Sequence, residues 1–249
     1  MRTEEVSAPA RKLLAAISAF DECEGFPLAL MPHLIHFFCG EKAAVRLVLP
    51  EAIASGIDAT FRELGYCGAM SPVSIAAVGE HWGQLERAPD KGPWNGFTHR
   101  VLVFGESDEV VSQVLAEELR GDSAVVGRLL GYPACCVDAY PALSEAASCW
   151  PATLIERTSP PRTVSMWCNR LASLWGGTCP TGELFPCSLT CPNAVRYGQL
   201  ADKLLRKHGF GPLAAEIRRQ SCRRIFWLDG EVVVGRTDHP LATEIMIHE

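Results

Sequence analysis

Apolar residues recur at helical spacing from Ala8 to Phe20, with Leu13, Leu14, Ile17 and Phe20 on one face, so the pattern predicts an opening helix. Lys42 to Leu49 reads as a strand halted by Pro50, and a helix over 51–64 closes at Gly65, with a short strand starting near Tyr66. Between Ser71 and His99 the periodicity fades, and Gly92-Pro93-Trp94-Asn95-Gly96 marks the stretch as loop-rich. His99 to Phe104 has the character of a buried strand, and Asp108 to Leu119 that of a helix stopped near Gly121. Strands alternating with helices predict an α/β layer with at least some parallel pairing; an α+β arrangement is the alternative.

From Asp122 the pattern turns helical with cysteine-rich connections. Asp122 or Ser123 caps a helix to Leu130, and Gly131 stops it. Pro133 opens the next helix at its first position, where a missing N–H costs nothing, and puts Cys135 and Cys136 in the first turn. Pro141 is expected to limit that helix to about two turns. Pro192 opens a long helix over Asn193 to His208, with Cys191 beside its cap. Asp229-Gly230 between Arg224-Ile225-Phe226-Trp227-Leu228 and Glu231-Val232-Val233-Val234 predicts a terminal β-hairpin. The change of character divides the chain into an α/β domain over 1–121 and a cysteine-rich helical region over 122–249, within reach of one continuous domain.

Composition narrows the function classes. A chain of 249 residues with 48% apolar content can bury a substantial core. A net charge of −6 supplies no basic footprint and argues against a nucleic-acid partner. No run of eighteen apolar residues is present, which argues against a membrane span. Glu4, Glu5, Arg11 and Lys12 punctuate the first twenty residues, unlike a secretory leader, so a cytoplasmic location is expected. In a reducing compartment, eleven cysteines point to metal or thiol chemistry rather than to a disulfide framework. Cys23, Cys39, Cys67, Cys149 and Cys222 are read as small buried apolar residues.

Four cysteines stand apart. Gly131-Tyr132-Pro133-Ala134-Cys135-Cys136 and Phe185-Pro186-Cys187-Ser188-Leu189-Thr190-Cys191-Pro192 each set a pair of thiols at the start of a helix. Helix N-termini favour thiolates, and four thiolates are the usual ligand set of a structural zinc or an iron–sulfur cluster. On a regular helix Cys135 and Cys136 diverge by about 100°. One can ligate while the other turns away, or both can ligate from a distorted first turn. An adjacent pair gives a constrained bite on one tetrahedral ion, which weighs towards a cluster, 4Fe-4S in the first instance, with zinc as the alternative. Cys168 and Cys179 are reserve ligands.

The run Gly127 to Tyr140, followed by Pro186-Cys187-Ser188-Leu189-Thr190-Cys191, resembles an uncharacterised bacterial and archaeal family that carries paired Gly-Tyr-Pro-x-Cys-Cys and Pro-Cys-Ser-x-x-x-Cys motifs. The resemblance spans residues 98–205 or so and implies that the four cysteines serve one site. Relatives are expected to hold a histidine where this chain has Phe185.

Other chemistry is thinner. His33, His36 and Cys39 can share a helix face beside Pro32, in an apolar setting that favours packing. His81 and His99 are isolated, and Arg218, Arg219, Arg223 and Arg224 read as a solvated helix face. No phosphate-cradling glycine loop, nucleophile elbow or three-cysteine radical-enzyme motif is present. The sequence therefore predicts an iron–sulfur enzyme acting on a small metabolite by lyase, sulfur-transfer or redox chemistry, with an electron or sulfur donor protein as a partner. Tyr132, Asp138, Arg162 and Asn169 are the candidates for catalysis around Cys135, Cys136, Cys187 and Cys191. The alternative is a non-catalytic, zinc- or cluster-stabilised protein-binding module.

Overall fold

Val101, Leu102, Val103 and Phe104 are all buried, which requires cover on both faces of the strand that carries them. A computed structural model of the chain describes residues 7–21, 28–77, 85–87, 98–145, 150–158, 163–175, 178–228, 231–234 and 243–248. These fall into two compact units, one within Met1–Pro27 and Phe37–Gly131, the other within Leu28–His36 and Tyr132–Glu249.

The first unit contains α1 (Ala8–Asp21), β1 (Ala44–Pro50), α3 (Glu51–Glu63), β2 (Cys67–Met70), β3 (Ile75–Ala77), β4 (Leu85–Arg87), β5 (Thr98–Gly105), α4 (Asp108–Arg120) and α5 (Ser123–Leu129). Helix α2 (Met31–Phe38) passes from the second unit into the first at Phe37. Strand β5 is central, with β1 on one side and β2 and β3 on the other; β4 extends the sheet from β3. Leu102 stands opposite Leu47 of β1 and Met70 of β2. Both α3 and α4 pack on β5, and Phe61 of α3 stacks on Phe104 with ring centres 4.2 Å apart. Ser107 caps α4 by accepting a bond from the Val110 N–H, and Gly121 ends it at φ 77°, a left-handed turn that suits glycine.

Two expectations are corrected in this unit. Every pairing described in its sheet is antiparallel, because β1, β2 and β3 all run in one direction beside a central β5 that runs in the other, and β4 turns back on β3. Leu14 is 48% exposed, and the buried stripe of α1 is Ala10, Leu13, Ala16 and Phe20. Adjacent helical positions lie about 100° apart, so Leu13 and Leu14 cannot both face the core.

The second unit contains α6 (Ala134–Glu145), α7 (Trp150–Glu156), β6 (Thr163–Ser165), α8 (Pro192–Lys207), α9 (Gly211–Ser221), β7 (Ile225–Leu228), β8 (Glu231–Val234) and β9 (Thr243–His248). Its four strands run in the order β6-β9-β7-β8, and β6–β9 is a parallel pair. The whole is the mixed α/β architecture that the alternating pattern predicts. The hairpin forms as β7 and β8, with Leu228 opposite Glu231; Asp229-Gly230 itself lies outside the described residues. Strand β9, which the sequence reading passed over, supplies the partner of both β6 and β7.

Pro141 does not stop α6, which runs on to Glu145. The ring's fixed φ is already helical, so the cost is one backbone bond rather than the helix. Pro133 stands one place earlier than expected, and its carbonyl accepts from the N–H groups of Cys136 and Val137 as the cap of α6. Between β6 and α8 the chain is mostly short turns and 3-10 segments, including Met166–Cys168 and Arg170–Trp175.

Candidate metal centre

Cys191 is the N-cap of α8 and Pro192 its first residue, so Pro192 leaves no orphan donor and the cap sulfur sits at the helix entrance. Cys187 lies four residues earlier in a loop pinned at its middle by Leu189. The Leu189 N–H donates to Thr158 Oγ1 at 3.0 Å, and its carbonyl accepts from the Ser165 N–H at 2.9 Å and from Cys168 Sγ at 3.2 Å. The Leu189 side chain is fully buried in a cluster with Leu154, Ile155, Val164, Leu171 and Ile225. The loop is thereby held so that Cys187 and Cys191 meet the first turn of α6.

The four sulfurs of Cys135, Cys136, Cys187 and Cys191 lie within 4.8 Å of one another and can hold a metal. Cys191 Sγ is 3.7 Å from both Cys135 Sγ and Cys136 Sγ, which are 3.9 Å apart. Both members of the adjacent pair therefore face the cluster. In a first helical turn no preceding turn restricts χ1, and the two side chains lean together across the angle between them.

Burial pushes the Cys136 thiol up, and the Cys191, Cys187 and Cys135 sulfurs add to the rise. Burial, with a hydrogen bond and charge repulsion from Cys191, raises Cys187 to about 12. Cys135 differs. Burial raises it, but hydrogen bonds from Asn193 and from the Cys191, Cys136 and Cys187 sulfurs outweigh that and bring it below its ordinary value. The Asn193 Nδ2–H donates to Cys135 Sγ at 3.3 Å. Four mutually repelling thiolates need a cation among them to coexist.

Around the sulfurs, Tyr132, Leu184, Ala194, Val195, Tyr197 and Cys168 form the apolar shell. The Tyr197 ring stacks on His36 at 4.2 Å, and the His36 Nε2 is 3.2 Å from the Tyr197 carbonyl. Tyr132 meets both Tyr197 and His33 edge-on, and His33 Nε2 accepts from the Glu183 N–H. His33 and His36 thus pack behind the centre, as their apolar setting predicts, while Cys39 belongs to the other unit.

Of the candidates for catalysis, Tyr132 packs against the sulfurs, Asp138 is exposed on α6, and Arg162 lies outside the described residues. Asn169 is fully buried and donates to the Ser221 carbonyl at 2.6 Å, which ties the turn after Cys168 to the end of α9. Cys168 hydrogen-bonds to Leu189 beside the four, and Cys179 contacts Thr181 Oγ1 at 3.0 Å. Phe185 lies against Tyr140 and Trp150, with the Arg170 guanidinium 4.5 Å above its ring. Cys222 is exposed, not buried, because it caps the end of α9; Cys39 and Cys67 are half-buried, and Cys23, Cys149 and His81 lie outside the described residues. The arginines at the end of α9 are engaged: Arg218 pairs with Asp202 at 2.9 Å, Arg219 with Glu216 at 2.6 Å and Arg224 with Glu244 at 2.7 Å.

The sequence reading missed Asn193, Arg196 and Tyr197. With Pro133, Ala134, Cys135 and Leu200 they line a pocket of about 440 Å³. The one available signal was position, since all three lie in the first two turns of the helix that Cys191 caps. Among the described residues, no helix is long and apolar enough to cross a membrane. No protein-family model matches the chain, and no curated protein or solved structure matches it.

Proposed function

We propose that this protein is a metalloprotein whose second unit holds one tetrahedral metal ion, zinc, through Cys135, Cys136, Cys187 and Cys191. The spacing of the sulfurs carries this reading. Four sulfurs at 2.3 Å from one ion stand about 3.8 Å apart when the angles are tetrahedral; the three separations among Cys135, Cys136 and Cys191 are 3.7, 3.7 and 3.9 Å, and Cys187 lies within 4.8 Å of each. In a cluster each sulfur sits outside its own iron corner, so the four spread farther than tetrahedral contact. The donor set fits the ion in chemistry as well, since a closed shell of four thiolates is the common structural zinc site. A bound cation would offset the burial, and after it the repulsion among the sulfurs, that raises Cys136 and Cys187.

An iron–sulfur enzyme acting on a small metabolite is the second reading. It draws on the half-exposed Cys135 beside a pocket of about 440 Å³, as an open position for chemistry requires. Metal analysis and an absorption spectrum of anaerobically purified protein separate the two. One zinc per chain in a colourless preparation is expected. Several irons with matching acid-labile sulfide and a broad visible band would overturn the zinc reading in favour of the cluster.

A further inference from the structure

The pocket beside Cys135 has the size of a small-molecule site, about 440 Å³. Its polar wall is short and specific. Asn193 donates to Cys135 Sγ, and Arg196 donates in turn to Asn193 Oδ1, so a guanidinium is held two hydrogen bonds from the sulfur. Arg196 is exposed, and among the described residues no carboxylate lines this pocket. Its donors not turned to Asn193 form a planar fork that suits a carboxylate or a phosphate. Pro133, Ala134 and Leu200 supply the apolar remainder of the wall.

From this arrangement we infer that the pocket binds a small anionic metabolite, with its carboxylate or phosphate on Arg196 and its body against Cys135. Asn193 joins the two halves of the site: its Oδ1 fixes the guanidinium and its Nδ2 fixes the sulfur. Cys135 is the ligand that faces this pocket, whereas Cys136 and Cys191 are buried. The inference uses the metal reading only to keep the sulfur in place; the pocket and its charge do not depend on which metal is bound.

Two alkylating agents with the same reactive carbon test this on the metal-loaded protein. Iodoacetate is an anion and iodoacetamide is neutral; each forms an S–C bond at the thiolate as the C–I bond breaks and iodide leaves. The labelled residue is identified by mass spectrometry and the metal content is measured in parallel. In the natural protein, iodoacetate is expected to label Cys135 in preference to Cys136 and Cys191, and millimolar phosphate or acetate to slow it. Arg196→Gln should slow iodoacetate at Cys135 about fivefold, the effect of one unit charge a few ångströms away in water, and leave iodoacetamide within twofold. Arg196→Lys should recover most of the rate. Equal loss for both reagents, no change for either, or no protection by phosphate or acetate would overturn the anion site. A protein that lacks metal yet still shows the Arg196-dependent preference would overturn the metal reading alone.

Discussion

Each unit owes its internal cohesion to different means. Around β5 the first unit packs large apolar groups with regular elements on both sides: Phe20, Ile57, Phe61 and Phe104 are all nearly or fully inaccessible to solvent. Around the cysteines the second unit packs sulfur, small residues and tyrosine edges on short turns. Apolar area stabilises the first without outside help. The stretch from Met166 to Cys191 contains no α-helix among its described residues; it is tied to its neighbours by the bonds at Leu189, by Asn169 and Thr178 to the end of α9, and by the four gathered sulfurs. The contrast teaches that burial can be reached by regular elements in one region and by short turns gathered around four sulfurs in another.

The largest effect should come from the candidate metal ligands. Cys187→Ala is expected to abolish stoichiometric metal binding, with a destabilisation on the order of 10 kcal/mol in apparent terms. Hydrogen exchange should rise across residues 163–191 while α3 and β5 keep their protection. Equal metal content in this variant and the natural protein would remove the distinction between the two regions. Conversely, Phe61→Ala should cost about 3–5 kcal/mol by opening a cavity against Phe104. Its metal content should stay unchanged, and a loss of metal would remove the distinction drawn between the two regions.

Gly198→Ala should rank next, at about 3 kcal/mol. Its added methyl would stand 2.0 Å from the Trp167 carbonyl and 3.1 Å from Pro180 Cβ, so α8 must move away from the turn that carries Cys168. Weaker metal retention against a chelator is the expected companion. Full stability with full retention would show that the approach of α8 to that turn is not what holds the site.

The smallest effect lies on the surface of the second unit, away from its core. Hydrogen bonds from Arg219 and then Gln220 pull the Glu216 carboxyl down to about 2, from an ordinary value of 4.5. The folded form therefore binds fewer protons than the unfolded chain between these values. The contribution is complete above about 4.5 and is lost as the pH falls towards 2, and salt screens it. Glu216→Gln should lower thermal stability slightly at neutral pH and leave it unchanged near pH 2, so that the fall in stability between 4.5 and 2 becomes shallower. The same loss at pH 2 as at neutral pH would show that the carboxylate's charge is not what the substitution removes.

Where local physics decides, the sequence was readable. Asp122, Gly121 and Gly131 mark helix ends by capping and left-handed turns, and Cys191-Pro192 opens α8 as its spacing implies. Where contact decides, it was not. Leu14 and Leu13 look equally apolar in the chain, and only the packing of α1 on α3 separates them. Asn193 and Arg196 carry no motif, because their meaning comes from the first turn of α6 lying opposite.

By itself, then, the sequence determined the mixed α/β class, most helix boundaries and the identity of the four thiols that gather, since each depends on periodicity, capping or residue chemistry within a few positions. The tertiary structure alone decided the antiparallel pairing around β5, the addition of β9, and the turning of both Cys135 and Cys136 towards Cys191. It alone decided, too, which sulfur meets a pocket with an arginine at its wall. Each of those is a relation between segments far apart in the chain, and its energy exists only once the segments touch.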